Sequence, residues 1–368
     1  MNTIILWGVI AILCAMLQSI GIWKHGLFFG FVITTTLLAI HYDFGSDYMA
    51  YLDWYEDSLY SPMPKSISEF WEISRDPGWD ILNLLFGTCF GKKGFYIMVA
   101  VLSIIEGLCY YVFIKKLVPT SWYWFAMALY VLNNHFFILT FSMMRQSLVM
   151  ALLLPCFILI QQKKIITPLI VILILSTIHN SVLLCLPLLA TPFIAINNKK
   201  HIAIILVVLW FLFLLASNIL EPMLSKFATF SESFERYVDV YSKEESDMTF
   251  GIGYIVRLLP FIYMLYGLFT NQFEDQDIPL MLIWSLTIIL TPFGTIIPLF
   301  GRLLFYFELA DLVILPKMYA TISFRPIRYG MISISLVLVI YALYMSFYLP
   351  TSVYYDSFLH FKTIYDII

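Results

Sequence analysis

Charge is what this chain has least of. Only 12% of its 368 residues are Asp, Glu, Lys or Arg, where a soluble domain carries about 25%, and that shortage excludes an ordinary soluble protein. The 21 cationic and 24 anionic side chains leave no basic surplus, so no nucleic-acid partner is expected. The five cysteines, Cys14, Cys89, Cys109, Cys156 and Cys185, show no CxxC or paired spacing. They read as small lipid-compatible residues rather than a disulfide or metal set. HExxH, GxSxG, a P-loop and a dinucleotide fingerprint are all missing, so a zinc enzyme finds no support. Neither a metal nor a cofactor is expected. The chain has no internal repeat and no low-complexity tract. Its first residues, Met1-Asn2-Thr3, lack a basic stretch and a small-residue cleavage site, so the first apolar run is expected to stay as a span.

What fills the chain is apolar: 61% hydrophobic residues and a mean hydropathy of +0.88. Aromatics make up 18%, with 24 Tyr and 9 Trp, the amphipathic rings that line membrane interfaces. These features predict an all-α integral membrane protein forming one polytopic domain over residues 1–368. A span takes about 20 apolar residues, and about twelve candidates follow: 3–21, 26–41, 94–114, 120–138, 144–161, 165–179, 182–196, 201–219, 251–270, 278–297, 301–317 and 329–349. Trp79–Phe90 is too short to cross and is expected in the interface or re-entering. The two halves of 165–196 are also short, each about 22 Å as an α-helix.

Lys24, Lys115-Lys116, Lys163-Lys164, Lys199-Lys200 and Lys317/Arg325/Arg328 fall on one side of a twelve-span count, which makes that side cytoplasmic. The loop Asn271–Asp277 on that side is acidic, and Lys92-Lys93 falls on the other; neither supports the count. Both termini and two long acidic loops, about 42–93 and 220–250, then lie outside. The second loop carries Glu232, Glu235, Glu244 and Glu245.

Four ionisable side chains at or near the outer ends of apolar runs stand out, because such groups at membrane depth are retained for chemistry or transport. Arg145, in Met143-Met144-Arg145-Gln146-Ser147, opens a span, where helix N–H groups and a planar guanidinium suit phosphate. A snorkelling Arg is the plainer reading. His179, in Thr177-Ile178-His179-Asn180-Ser181, titrates near neutrality and could serve as a base; a capping turn residue is the alternative. Arg302 follows the Pro292…Pro298 turn, and Arg257 lies about two turns into its run. Glu308 and Asp311, about 9 and 14 Å deeper than Arg302 at helical rise, share a helix face and are expected in a structural network, as is Glu106. In the first outer loop, His41-Tyr42-Asp43-Phe44-Gly45-Ser46-Asp47-Tyr48, the carboxylate of Asp47 stands beside Tyr48 and Tyr51. Carboxylates with aromatics are the usual furniture of sugar sites, although an acidic loop can be merely solvated.

The order Gly45-Ser46-Asp47-Tyr48…Tyr51, then Ser142-Met143-Met144-Arg145-Gln146, then Ile178-His179-Asn180-Ser181, then Gly301-Arg302…Tyr306-Phe307 resembles the EpsG family of Wzy-like polysaccharide polymerases over most of the chain. In place of the Arg that precedes Gly-x-Asp-Tyr in many members, this chain has His41 or no counterpart. The resemblance implies a GT-C-like bundle in the bacterial cytoplasmic membrane. It would join undecaprenyl-diphosphate-linked oligosaccharides into capsule, exopolysaccharide or O-antigen at the extracytoplasmic face. Donor and acceptor glycolipids, membrane lipid and a chain-length regulator are the implied partners. On this reading Arg145, Gln146, Arg257 and Arg302 bind the diphosphate, Asp47 or His179 is the base, and Tyr48, Tyr51 and Tyr306 contact sugar. The transfer is expected to be inverting and metal-independent. The rival readings are a flippase of lipid-linked sugars, a polyprenyl-phosphate-sugar transferase and an O-antigen ligase. A flippase calls for charges along a midplane path, whereas these cations gather at one face.

Overall fold

A computed structural model describes residues 1–60, 66, 72, 74, 76–194, 198–228, 251–294 and 298–366, without the side chains of 217–228, 252, 294, 298–300 and 302. Among these residues, six helical stretches are long and apolar enough to cross a membrane: Asn2–Ser19, Pro77–Leu117, Met144–Gln161, Lys199–Ala216, Asp275–Phe293 and Arg325–Phe347. Shorter apolar helices cover Gly26–Ile40, Ile166–Leu175, Asn180–Phe193 and Gly253–Phe269. The chain divides into two compact units, one of Met1–Leu159, Lys164–Leu186 and Ser335–Ile368, the other of Ile160–Lys163 and Pro187–Ile334.

The first unit starts with α1 (Asn2–Ser19) and α2 (Gly26–Ile40). Lipid gives no hydrophobic drive for two such helices to associate, so close backbone approach must hold them. Gly26 and Gly30, four apart on α2, supply it. A Cβ on Gly26 would sit 1.9 Å from the Cys14 carbonyl oxygen, and one on Gly30 2.9 Å from that of Ala11. Next come the short strand β1 (His41–Tyr42), α3 (Tyr48–Tyr60) and α4 (Pro77–Phe90). After Gly91, at φ +58°, the three-residue turn Gly91–Lys93 leads into α5 (Gly94–Leu117). The Tyr55 hydroxyl donates to the Gly91 carbonyl at 2.7 Å and clamps this corner. The first long loop of the sequence reading therefore carries two helices of its own.

The expected span 120–138 is interrupted. α6 (Tyr123–Leu132) stops at Asn133, whose side-chain oxygen accepts from the His135 N–H at 2.9 Å, and a π-turn follows over Asn134–Ile138. α7 (Met144–Gln161) then runs to a turn at Lys163, φ +61°. Beyond it lie α8 (Ile166–Leu175) and a 3-10 run, Asn180–Phe193, whose residues from Pro187 on belong to the second unit. A 3-10 helix rises about 2.0 Å per residue, so these 14 residues reach about 28 Å, close to the bilayer core of about 30 Å. Pro187 and Pro192 lie within it.

Two ends of this unit can be told apart. At one, the Trp124 N–H donates to Ser19 Oγ at 3.1 Å and the Tyr123 hydroxyl to the Lys115 carbonyl at 3.1 Å, which gathers the loops after α1 and α5. At the other, β1 pairs antiparallel with β2 (Lys362–Thr363). There the Gly45 N–H donates to the Ser357 carbonyl at 3.0 Å and the Gly78 N–H to the Thr177 carbonyl at 2.8 Å.

The second unit holds α9 (Lys199–Ala228), α10 (Ile252–Phe269), α11 (Ile278–Gly294), α12 (Pro298–Glu308) and α13 (Asp311–Thr321). α14 (Arg325–Phe347) begins in this unit and ends in the first. The expected span 301–317 is broken between Glu308 and Asp311, so it is two helices of 11 residues each. The acidic loop that opposed the charge count has its own explanation. Asp275 pairs with Lys199 at 2.6 Å and Asp277 with Lys317 at 2.5 Å, so its carboxylates partner the lysines assigned to the same side. Of the second long loop, residues 229–250 lie outside the described residues, and Glu232, Glu235, Glu244 and Glu245 with them.

Candidate active site

At the strand-bearing end of the first unit, three motifs far apart in sequence converge. Gly45 takes φ +112°, and a Cβ there would lie 2.6 Å from the Phe141 carbonyl oxygen. Only glycine lets the loop lie flat on this turn. The contact brings Ser46 Oγ to 2.7 Å from Ser142 Oγ, which in turn accepts from the Asp47 N–H at 3.2 Å. Ser46 Oγ also donates to Asp47 Oδ1 at 2.9 Å. The Gly-Ser-Asp loop is thus fixed to the turn that opens α7.

Arg145, the second residue of α7, reaches back across this loop's helix. Its guanidinium lies over the rings of Trp54, at 4.9 Å, and Tyr51, at 5.6 Å. Nε donates to the Tyr51 hydroxyl at 3.3 Å, and an Nη donates to the Asp76 carboxylate. Asp76 stands at the N-cap of α4 but makes no capping bond with its side chain; its carboxylate serves Arg145 instead. The Arg145 side chain is 21% exposed and that of Asp76 6%. A guanidinium so held on two faces is locked in orientation, unlike a snorkelling Arg free in the interface. Burial pushes the Tyr51 phenol up, Arg145 pulls it down, and Asp47 acts in the same sense as burial.

His179 joins through the backbone. The Gly78–Thr177 bond ties its turn to the start of α4, two residues from Asp76, and Ile178 packs on the cluster of Tyr51, Trp79 and Met144. Gln146 is buried beside Arg145 in sequence, 2% exposed. Tyr48 is fully buried, its ring edge-on to His41, Tyr42 and Phe95 at 4.8–5.7 Å, which makes it a core residue of this end. His41, just past the end of α2, is buried with its ring edge-on to Tyr48 and Phe141.

Arg257, Arg302 and Tyr306 belong to the second unit. Arg257 donates to Glu308 Oε1 at 2.9 Å, and Asp311 accepts from Trp284 Nε1. That is the structural network expected of the two acids. Tyr306 is fully buried, and the Arg302 side chain lies outside the described residues. Glu106, 4% exposed in the first unit, accepts from Ser147 Oγ at 3.2 Å. Arg257→Ala is expected to strand a buried carboxylate and cost about 3–5 kcal/mol, with Arg257→Met/Glu308→Leu recovering most of it. Thermal unfolding in detergent reads both.

Sequence reasoning passed over Asp76 and Trp54. The run Asp76-Pro77-Gly78-Trp79 signals a helix start, but its pairing with a residue 69 positions away leaves no local trace.

No curated protein and no solved structure matches the chain. The model of the EpsG family matches residues 26–363, a stretch that contains the Ser46-Asp47 loop, Arg145, His179 and the strand at Lys362. With its apolar helices and a family match over nearly its whole length, this integral membrane chain belongs to the EpsG family of Wzy-like polysaccharide polymerases.

Proposed function

We propose that the chain polymerises undecaprenyl-diphosphate-linked oligosaccharide repeat units at the extracytoplasmic face of the bacterial cytoplasmic membrane, by inverting transfer without a metal. The supporting observation is the guanidinium of Arg145, held by Tyr51 and Asp76 on the helix whose opening turn also fixes the Ser46-Asp47 loop. In the reaction an acceptor hydroxyl attacks the anomeric carbon of the donor glycan. The new C–O bond forms as the bond from that carbon to the diphosphate oxygen breaks. The hydroxyl proton passes to Asp47 or His179, and the polyprenyl diphosphate leaves with the bonding pair.

Charge grows on the leaving diphosphate, so a preorganised cation beside it lowers the barrier more than it stabilises the ground state. Arg145 suits that role because Asp76 and Tyr51 fix its plane before substrate arrives. Gln146 is its neighbour at the helix start, where N–H groups also favour anions. Trp54 adds an aromatic face. Arg257 and Arg302 stand as separate diphosphate-binding candidates, each tested by substitution.

The direct test incubates purified protein with a synthetic lipid-linked repeat unit in the presence of EDTA. A ladder of products is the expected result. A single addition would make the protein a transferase, and unaltered substrate moved to the other leaflet would make it a flippase; either result overturns the proposal.

A further inference from the structure

Beside Ser46 the first unit has a concavity about 240 Å³ in volume. Two segments more than 300 residues apart build it. Asp43 and Ser46 come from the loop after β1, and Asp356, Ser357, His360 and Lys362 from the C-terminal segment. Phe44 holds the segments together: it is fully buried and stacks edge-on against Phe358 at 4.9 Å and Phe361 at 5.2 Å. The β1–β2 pairing and the Gly45–Ser357 hydrogen bond close the base.

The lining specifies its ligand by charge and by hydrogen bonding. Lys362 Nζ donates to Asp43 Oδ2 at 2.6 Å, which compensates one of the two carboxylates. Asp356 adds a carboxylate beyond that pair, which disfavours a phosphate or other anion. Carboxylates only accept hydrogen bonds, while Ser hydroxyls both donate and accept and an imidazole ring adds a further donor. That set suits a neutral or amine-bearing polyol. The volume falls below the roughly 300–1,000 Å³ of clefts for drug-sized ligands, which suits one sugar ring. The wall residue Ser46 is hydrogen-bonded to the Asp47 carboxylate at 2.9 Å, so a ring held here lies next to a candidate base.

We infer that this pocket, made jointly by the first loop and the C-terminal segment, binds the terminal neutral or amino sugar of the acceptor glycan. The acceptor role rests on the polymerase reading above; sugar binding as such does not. Ligand-observed NMR on the purified full-length protein tests it, with methyl glycosides of a neutral hexose, an N-acetylhexosamine and a hexosamine as probes. At least one glycoside should bind the wild type. It should bind about ten-fold or more weakly to Asp356→Asn/His360→Ala and to the pocket-filling Ser357→Phe, both checked for monodispersity. Binding should persist in Arg145→Ala/Asp76→Asn, and inorganic pyrophosphate should not displace it.

The same glycoside should inhibit ladder formation by the wild type, and about ten-fold more weakly in the double pocket variant. No binding to the wild type, equal binding to both pocket variants, displacement by pyrophosphate, or inhibition unaltered in the variants would each overturn the inference. If the glycoside binds as expected but the wild type builds no ladder, the polymerase reading fails while the sugar pocket stands.

Discussion

Replacing Arg145 by Lys is expected to slow polymerisation about 10²-fold, and removing the cation altogether about 10³-fold, equivalent to about 2.7–4 kcal/mol of transition-state stabilisation. Lysine keeps the charge but not the fork. Its three N–H groups radiate from one atom and lack the planar fork by which separate nitrogens of Arg145 reach the Tyr51 hydroxyl and Asp76. The Ala substitution needs a partner change, because it would strand the Asp76 carboxylate, whose side chain is 6% exposed. Arg145→Ala/Asp76→Asn removes both charges, so it should stay folded and lose activity. Initial rates of ladder formation, set beside thermal unfolding of the same samples, separate the two effects. Full activity of Arg145→Lys would show that the forked geometry is unnecessary.

Asp47→Asn is expected to cut the rate by about 10²–10⁴-fold, the range typical of a lost general base. Asparagine keeps the size of the side chain and can still accept from Ser46 Oγ, which donates to Asp47 at 2.9 Å. The loop geometry should therefore survive while proton acceptance does not. His179→Ala is the matched comparison, since its turn is tied to the same end of the unit through Thr177 and Gly78. A collapse with Asp47→Asn alone assigns the proton to Asp47; a collapse with His179→Ala alone assigns it to His179. Wild-type rates in both variants would remove each from the chemistry.

Membrane class was legible without coordinates, because 12% charge and 61% hydrophobic residues leave no other solvent for so much apolar surface. The candidate residues were legible too, as ionisable groups where lipid tolerates few. Span boundaries came through where runs are long and uninterrupted, as in Asn2–Ser19 and Arg325–Phe347. They failed where a side chain redirects the backbone. Asn133 bonds to the His135 N–H and stops α6 inside an apolar run, and hydropathy carries no term for that. Composition likewise does not separate α from 3-10 helix, yet the rise per residue decides how far Asn180–Phe193 reaches.

Pairing was the other thing hidden from the linear chain. A carboxylate after a loop and before Pro-Gly reads as a helix cap, and Asp76 holds that position. Its carboxylate nonetheless goes to Arg145, a bond in which both partners are charged. Tyr48 reads as a sugar platform from its neighbours, but packing on His41 and Phe95 buries it. The C-terminal segment carries no motif, and only strand pairing across more than 300 residues sets His360 and Asp356 opposite Ser46. Sequence alone determined the solvent this protein lives in and the chemical groups it holds, since both follow from side-chain transfer energies residue by residue. Which of those groups meet was decided by tertiary structure, because contact depends on how the chain closes its long loops.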